Sequence, residues 1–306
     1  MPQGFIFSTH LPTKRSVAAI ATDTNTYLRA IGISQSDVDA LMTLVRNTPD
    51  KYHAHSRDDN TIFVEFDKAF SPGLGLKLRY TLNDSEELVG YDYQPYYAGG
   101  KPKAYVNIEI QNLDDEHIAI AEDLENGNEL VFSLQNATEF ASGDSVLDSA
   151  TVRLAGLSCD ATIVLPVLKD EESERLRQEE EDERREQLRK ARQGDAEAIE
   201  KLEIADEEIS NTIQERLAHE DFLTVVEGFF MPTEDDDTQY CLLGDITNVA
   251  ECANDLTGER LYVLSLSVTG TPIDICVNTE DVAGLPSVGM RFLGTCWLQG
   301  RLDVLT

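Results

Sequence analysis

Positive charge is scarce in this chain. Its 306 residues hold 25 lysines and arginines against 57 aspartates and glutamates, a formal net charge of −32. Residues 1–168 carry 12 basic and 24 acidic side chains, 169–221 carry 10 and 20, and 222–306 carry 3 and 13, so the shortage is general and not confined to a tail. Binding to a nucleic-acid backbone draws on clustered cations that displace counterions, and no segment has a surplus of them. Phosphates and anionic membranes are repelled. Nucleic acid and membrane are therefore excluded as expected partners. The same charge allows one minor reading, a nucleic-acid mimic seated in a basic groove of another protein.

Cysteine is sparse and unpatterned. Cys159, Cys241, Cys252, Cys276 and Cys296 are odd in number, widely spaced, and contain no C-x-x-C pair. Reduced, buried thiols fit this better than a disulfide framework or a zinc site. Long apolar runs are missing too: "VAAIA" at 17–21 is too short for a signal core, and nothing approaches a membrane span. The expected location is cytoplasmic. Also absent are a phosphate-cradling G-x-x-x-x-G-K-[ST] loop, a G-x-S-x-G elbow, and a strand leading through glycines into a helix. No cofactor and no catalytic residue is expected.

What is present is patterned. "TNTYLRAIG" at 24–32 reads as a short helix stopped by Gly32, and "SDVDALMTLVRN" at 36–47 as a second one. Ser36 suits its N-cap, and Val38, Leu41, Met42 and Val45 fall on one face. Two helices and a tight turn resemble a DNA-reading motif, yet Asp37 and Asp39 stand where such a helix wants cations, so core packing is expected. From about residue 61 the period becomes two, in "TIFVEFD", "GLKLRYT", "AYVNIEIQ", "HIAIAED", "ELVFSLQN", "TVRLAG" and "ATIVLPVL", with turn clusters between them.

A run of charge interrupts the strands. Residues 169–193 hold 8 basic and 10 acidic residues and almost nothing apolar. Glu171–Arg175, Glu180–Arg184, Glu181–Arg185 and Glu186–Lys190 sit at i, i+4 with the acid first. Each pair adds about 0.2–0.5 kcal/mol, so several together hold a helix with no face to bury. Such a helix would span about 35 Å. Residues 195–221 differ: Ile199, Leu202, Ile209, Ile213 and Leu217 form an apolar stripe beside 2 basic and 10 acidic residues. Strands then return in "QYCLLGDITNV", "RLYVLSLSV", "IDICVN" and "GMRFLGTCWLQGRLDVL". Gly289, Gly294 and Gly300 suit bends that close a small barrel, and Trp297 suits its core.

The predicted class is α+β: two mainly antiparallel β-rich modules joined by a charged helical arm or hairpin, with short helices near the N-terminus. The boundaries fall at 1–168 for the first module, 169–221 for the arm, and 222–306 for a small barrel-like module.

Three clusters bear on chemistry. "YDYQPYYAGG" offers Tyr91, Tyr93, Tyr96 and Tyr97 as flat faces for stacking a sugar, base or peptide, although the alternation is also what a plain strand needs. "HAHSRDD" offers His53 and His55 as a metal pair if the segment is extended, against the alternative of a solvated loop before the first strand. "EDDD" at 234–237 fails the calcium-loop test, because Tyr240 and Ile246 stand where Gly and a bidentate Glu belong.

Four stretches carry a family resemblance: "YLRAIGIS" at 27–34, "VFSLQN" at 131–136 with "LAGLS" at 154–158, "ARQGDAEAIEKL" at 191–202, and "GMRFLGTCWLQG" at 289–300. "FFMP" at 229–232 followed by "YCLLGDI" keeps the same order. Over about residues 26–304 the chain resembles an uncharacterised family of cytoplasmic proteins from anaerobic Gram-positive bacteria, a domain of unknown function. The resemblance implies no catalytic residue.

Two functions follow as expectations. One is a non-catalytic cytosolic scaffold or adaptor that binds a protein partner through the acidic helical arm. The other is a ligand sensor or enzyme with a pocket near Tyr91–Tyr97. Oligomeric state, partner and substrate are left open by the sequence.

Overall fold

The computed structural model describes residues 24–34, 38–56, 61–83, 85, 88–113, 116–140, 145–167, 171–217, 221–234 and 236–303. Two compact units result. One is a mostly β body from Ala19–Asp123, Glu129–Pro166 and Gly228–Thr306; the other is a helical unit that includes Leu124–Asn128 and Val167–Glu227.

The β body begins with α1 (Thr24–Tyr27), a 3-10 turn at Arg29–Ile31, and α2 (Val38–Asn47). Gly32 ends the turn at φ 75° with its N–H donated to the carbonyl of Arg29, the left-handed cap that only glycine adopts freely. The expected cap at Ser36 lies outside the described residues. On α2, Leu41 and Val45 are buried and Val38 and Met42 pack beside them, as the helical spacing requires.

Next comes a four-stranded antiparallel sheet of β1 (Lys51–Ser56), β2 (Ile62–Ser71), β3 (Leu74–Leu82) and β4 (Leu88–Tyr97), paired in that order. Strand alternation sorts β3 into two sets. Leu76, Leu78 and Tyr80 share a face with Phe66 and Tyr93, and pack on Tyr27, Leu28, Ile31, Leu41 and Val45. Burying each such aliphatic chain is worth about 1.5–3 kcal/mol. Lys77 and Arg79 point the other way.

The larger sheet is built from β5 (Pro102–Leu113), β6 (Glu116–Asp123), β7 (Glu129–Leu134), β8 (Ser145–Ser158) and β9 (Ala161–Val164). To these it adds β10 (Phe229–Pro232), β11 (Gln239–Ala253), β12 (Arg260–Val268), β13 (Thr271–Asn278), β14 (Val282–Ala283) and β15 (Arg291–Asp303). It is mixed, since β13 runs parallel to β8, β14 to β9, and β15 to β7. Its spine is the antiparallel ladder from Leu298 opposite Gly156 to Asp303 opposite Thr151. Beyond that ladder each spine strand reaches further neighbours. Hydrogen-bonded pairing closes one ring through β8, β13, β12, β11 and β15, and a second through β8, β5, β6, β7 and β15.

Tyr105, Phe132, Val152, Leu242, Leu264, Ile275, Phe292 and Leu298 fill a shared core. Gly300 is needed there, because a Cβ at that position would run into the ring of Phe132. Trp297 is buried as expected and donates its indole N–H to Ser133 Oγ at 2.9 Å.

Residues 222–306 therefore do not close on themselves as a small barrel. The outer edges of β13 and β15 both pair with β8, a strand that precedes residues 222–306 in the chain. Two separate β modules would each leave those edges bare, and shared pairing removes them.

In the helical unit, α3 (Glu171–Ala191) and α4 (Ala196–Leu217) are joined by a short loop, and α5 (Phe222–Val225) follows with Asp221 as its N-cap. Gly194 turns the loop at φ 84°. Asp195 caps α4, its Oδ1 accepting from the backbone N–H groups of Glu197 and Ala198. The chain turns back on itself: Arg184 on α3 donates to Asp206 on α4 at 2.7 Å. Among the described residues, no helix is long and apolar enough to cross a membrane.

Candidate functional site

The four tyrosines do not converge. β4 is a strand, so Tyr91, Tyr93 and Tyr97 lie on one face and Tyr96 on the other. Tyr93 and Tyr97 pack into the helix-covered core. Burial, with Asp274 nearby, pushes the Tyr97 phenol up to about 12. Tyr91 is exposed. Tyr96 is buried and donates to Asp67 Oδ1 at 2.8 Å; burial and that carboxylate raise its pKa.

β4's backbone is also engaged. Gln299 Nε2 donates to the carbonyl of Pro95, and Gln135 Nε2 to that of Tyr97, each at 2.8 Å. Pro95 has no N–H to pair, which suits an edge strand.

His53 and His55 lie on a strand, β1, and not in a loop. They share a face, opposite Glu65 and Phe63 of β2, and every residue of β1 is exposed. Among the described residues, no group of three or more His, Cys, Asp or Glu is placed to hold a metal. In the acidic turn, Asp236 accepts from the backbone N–H and hydroxyl of Thr238 and from the side-chain amide of Gln239. It shapes a turn.

The most elaborate polar cluster lies on the second face of the small sheet. Glu65 is 1% exposed. Its Oε1 accepts from Lys77 Nζ at 2.8 Å and its Oε2 from Arg79 Nε at 2.9 Å. Arg79 Nη2 reaches Gln94 Oε1 at 2.7 Å, and Lys77 also faces Asp67 Oδ2 at 3.7 Å. Register explains the meeting: Glu65 is opposite Arg79, Asp67 opposite Lys77, and Lys77 opposite Gln94. Next to it, Phe63 meets His117 of β6 edge-on at 5.2 Å.

Two carboxylates face two cations, so the layer is close to neutral. Burial pushes the Glu65 pKa up, but the charges and hydrogen bonds of Arg79 and Lys77 outweigh it and leave Glu65 below the usual carboxylate range. Glu65 is thus a fixed anion with no proton to give, in contrast to the raised carboxylate that an acid–base pair needs. The cluster is a buried polar layer whose members satisfy one another.

The thiols show no activation. Burial pushes Cys159 up to about 12, and Cys276 and Cys296, both fully buried, are raised as well. A nucleophilic cysteine requires the opposite shift.

On the helical pair the surface is mostly charge. Arg189 donates to both carboxylate oxygens of Glu186, at 2.7 and 2.9 Å, and holds that carboxyl down at about 2. Lys190 lies 3.5 Å from Glu186, an expected i, i+4 pair, while Arg184 turns across to α4.

These observations define a β protein with a polar interior layer and a pair of charged helices. The chain belongs to the family described as a domain of unknown function from an E. rectale gene (DUF3881), whose model matches residues 28–300. No curated protein and no solved structure matches it.

Proposed function

We propose that this chain is a non-catalytic scaffold or adaptor protein that captures a protein partner through the helical pair α3–α4. The observation that carries the reading is the apolar exposure on an otherwise acidic helix: Ile199, Ile204 and Ile209 of α4 are 39%, 49% and 54% exposed. Steps of five residues set them about 140° apart around the helix, so apolar surface is offered on more than one of its sides. The internal chemistry supports the same side of the choice, because the buried acids, cations and phenols described above are committed to one another.

The test compares the full chain with one in which residues 169–221 are replaced by a Gly/Ser linker, after unfolding shows that the β body still folds cooperatively. Capture from a cytosolic lysate loses most partners in the deleted form. Unchanged recovery overturns the proposal. The rival reading, a ligand pocket near Tyr91–Tyr97, is separated by a thermal-shift screen of metals, nucleotides and sugars. A ligand at 100 times its Kd adds about 2.7 kcal/mol of stability.

A further inference from the structure

Ala198, Leu202, Ala205 and Ile209 recur along α4 at steps of four, three and four, which places them on one stripe of the helix. Their cover is uneven. Ala198 and Leu202 are buried and Ala205 is partly buried, but Ile209 on the same stripe is 54% exposed.

The register of the hairpin explains the change. Arg184 bonds Asp206 at 2.7 Å, so toward the C-terminal end of α4 the neighbours on α3 are residues just before Arg184. Gln178, Glu179, Glu180, Glu181, Asp182 and Glu183 are all polar. Leu188, nearer the loop, lies beside Gly127, and Leu176 stands on the far side of that stretch. The stripe is thus covered at Ala198 and Leu202, and at Ile209 it meets polar residues of α3.

The surroundings select what can cover it. Glu203, Glu207 and Glu208 are exposed beside the stripe, and residues 195–221 hold 2 basic against 10 acidic residues. A second copy of α4 would bring the same carboxylates and be repelled. A helix with an aliphatic stripe and basic flanks satisfies both features at once.

We propose that the Ile209 stretch of α4 is the docking face for an amphipathic, cation-flanked helix of a partner protein. This rests on the reading of the helical pair as the capture element, and specifies the partner's chemistry.

The test uses the full chain and a fluorescent 18-residue peptide with leucines at helical spacing and Lys/Arg elsewhere, followed by anisotropy at several salt concentrations. Comparison peptides are a scramble of the same composition and a version with Glu in place of the cations. The expected result is saturable binding of the basic amphipathic peptide alone, weakened by salt. Ile209→Ser should weaken it about tenfold. Ile204→Ser, exposed but off the stripe, should not. Both variants alter exposed side chains, and far-UV circular dichroism confirms the helices.

Equal binding of the scramble shows charge attraction alone and overturns the proposal, as does an unaffected Ile209→Ser. Self-association of the chain that Ile209→Ser abolishes assigns the face to a second copy and overturns it too. If lysate partners depend on residues 169–221 but not on Ile209, this proposal fails while the scaffold reading stands.

Discussion

Glu65 and Arg79 meet across β2 and β3 with both side chains buried, carboxylate oxygen to guanidinium nitrogen at 2.9 Å. Lys77 completes the site from the same strand as Arg79, 2.8 Å from the other carboxylate oxygen. Removing one member leaves uncompensated buried charge. Glu65→Gln should therefore destabilise by about 3–5 kcal/mol in urea unfolding, whereas the joint change of Glu65, Asp67, Lys77 and Arg79 to Leu, Asn, Met and Met, which removes both carboxylates with both cations, should recover most of the loss. A single-variant cost below about 1 kcal/mol would show that the cluster is solvated.

The same carboxylate sets a pH dependence. Its folded pKa lies below the unfolded value of about 4.3, so its contribution is fully present above that value and is lost as pH falls through the folded pKa. The stability gap between the natural chain and Glu65→Gln should be widest near neutrality and narrow as the pH falls below the unfolded value towards the folded one. A gap that widens on acidification would contradict the assignment.

Two glycines with similar backbones should respond differently. Gly100 (φ +92°) and Gly194 (φ +84°) both adopt left-handed conformations, but a Cβ at Gly100 would strike the backbone of Leu154, while at Gly194 nothing lies within 4 Å. Gly194→Ala should cost about 1 kcal/mol and Gly100→Ala clearly more, measured by thermal or urea unfolding. Equal costs would remove the close approach of residues 100 and 154 from the account.

The cysteines supply an independent check on the core. Cys276 and Cys296 are fully buried with raised pKa values, and Cys159 is pushed up to about 12. Labelling by a thiol reagent at pH 8 should be slow for these three in the native protein and fast for all five in urea. Rapid native labelling of Cys276 or Cys296 would be inconsistent with the closed rings.

Period and punctuation revealed much of this fold in the sequence. Gly32 caps its turn, Leu41 and Val45 face inward, and the strand segments from residue 62 onward form strands. Pairing between distant segments was not legible, because nothing in "TVRLAGLS" states that its neighbours will be β13 and β15. Nor was the polar layer. Glu65, Lys77 and Arg79 alternate with apolar residues as solvent-facing positions do, and only a second covered face turns them into a buried cluster. β1 was missed because "KYHAHS" has no apolar face to signal burial, and the strand buries nothing.

The central claim is that contact with other proteins passes through α3–α4. The most direct measurement places a photo-crosslinking amino acid in the full chain at Glu203, an exposed position on α4, or at Tyr91, the exposed tyrosine of β4. After irradiation in a native lysate, the account predicts discrete cross-linked partners from position 203 and none from position 91. Cross-links from position 91 alone would contradict it.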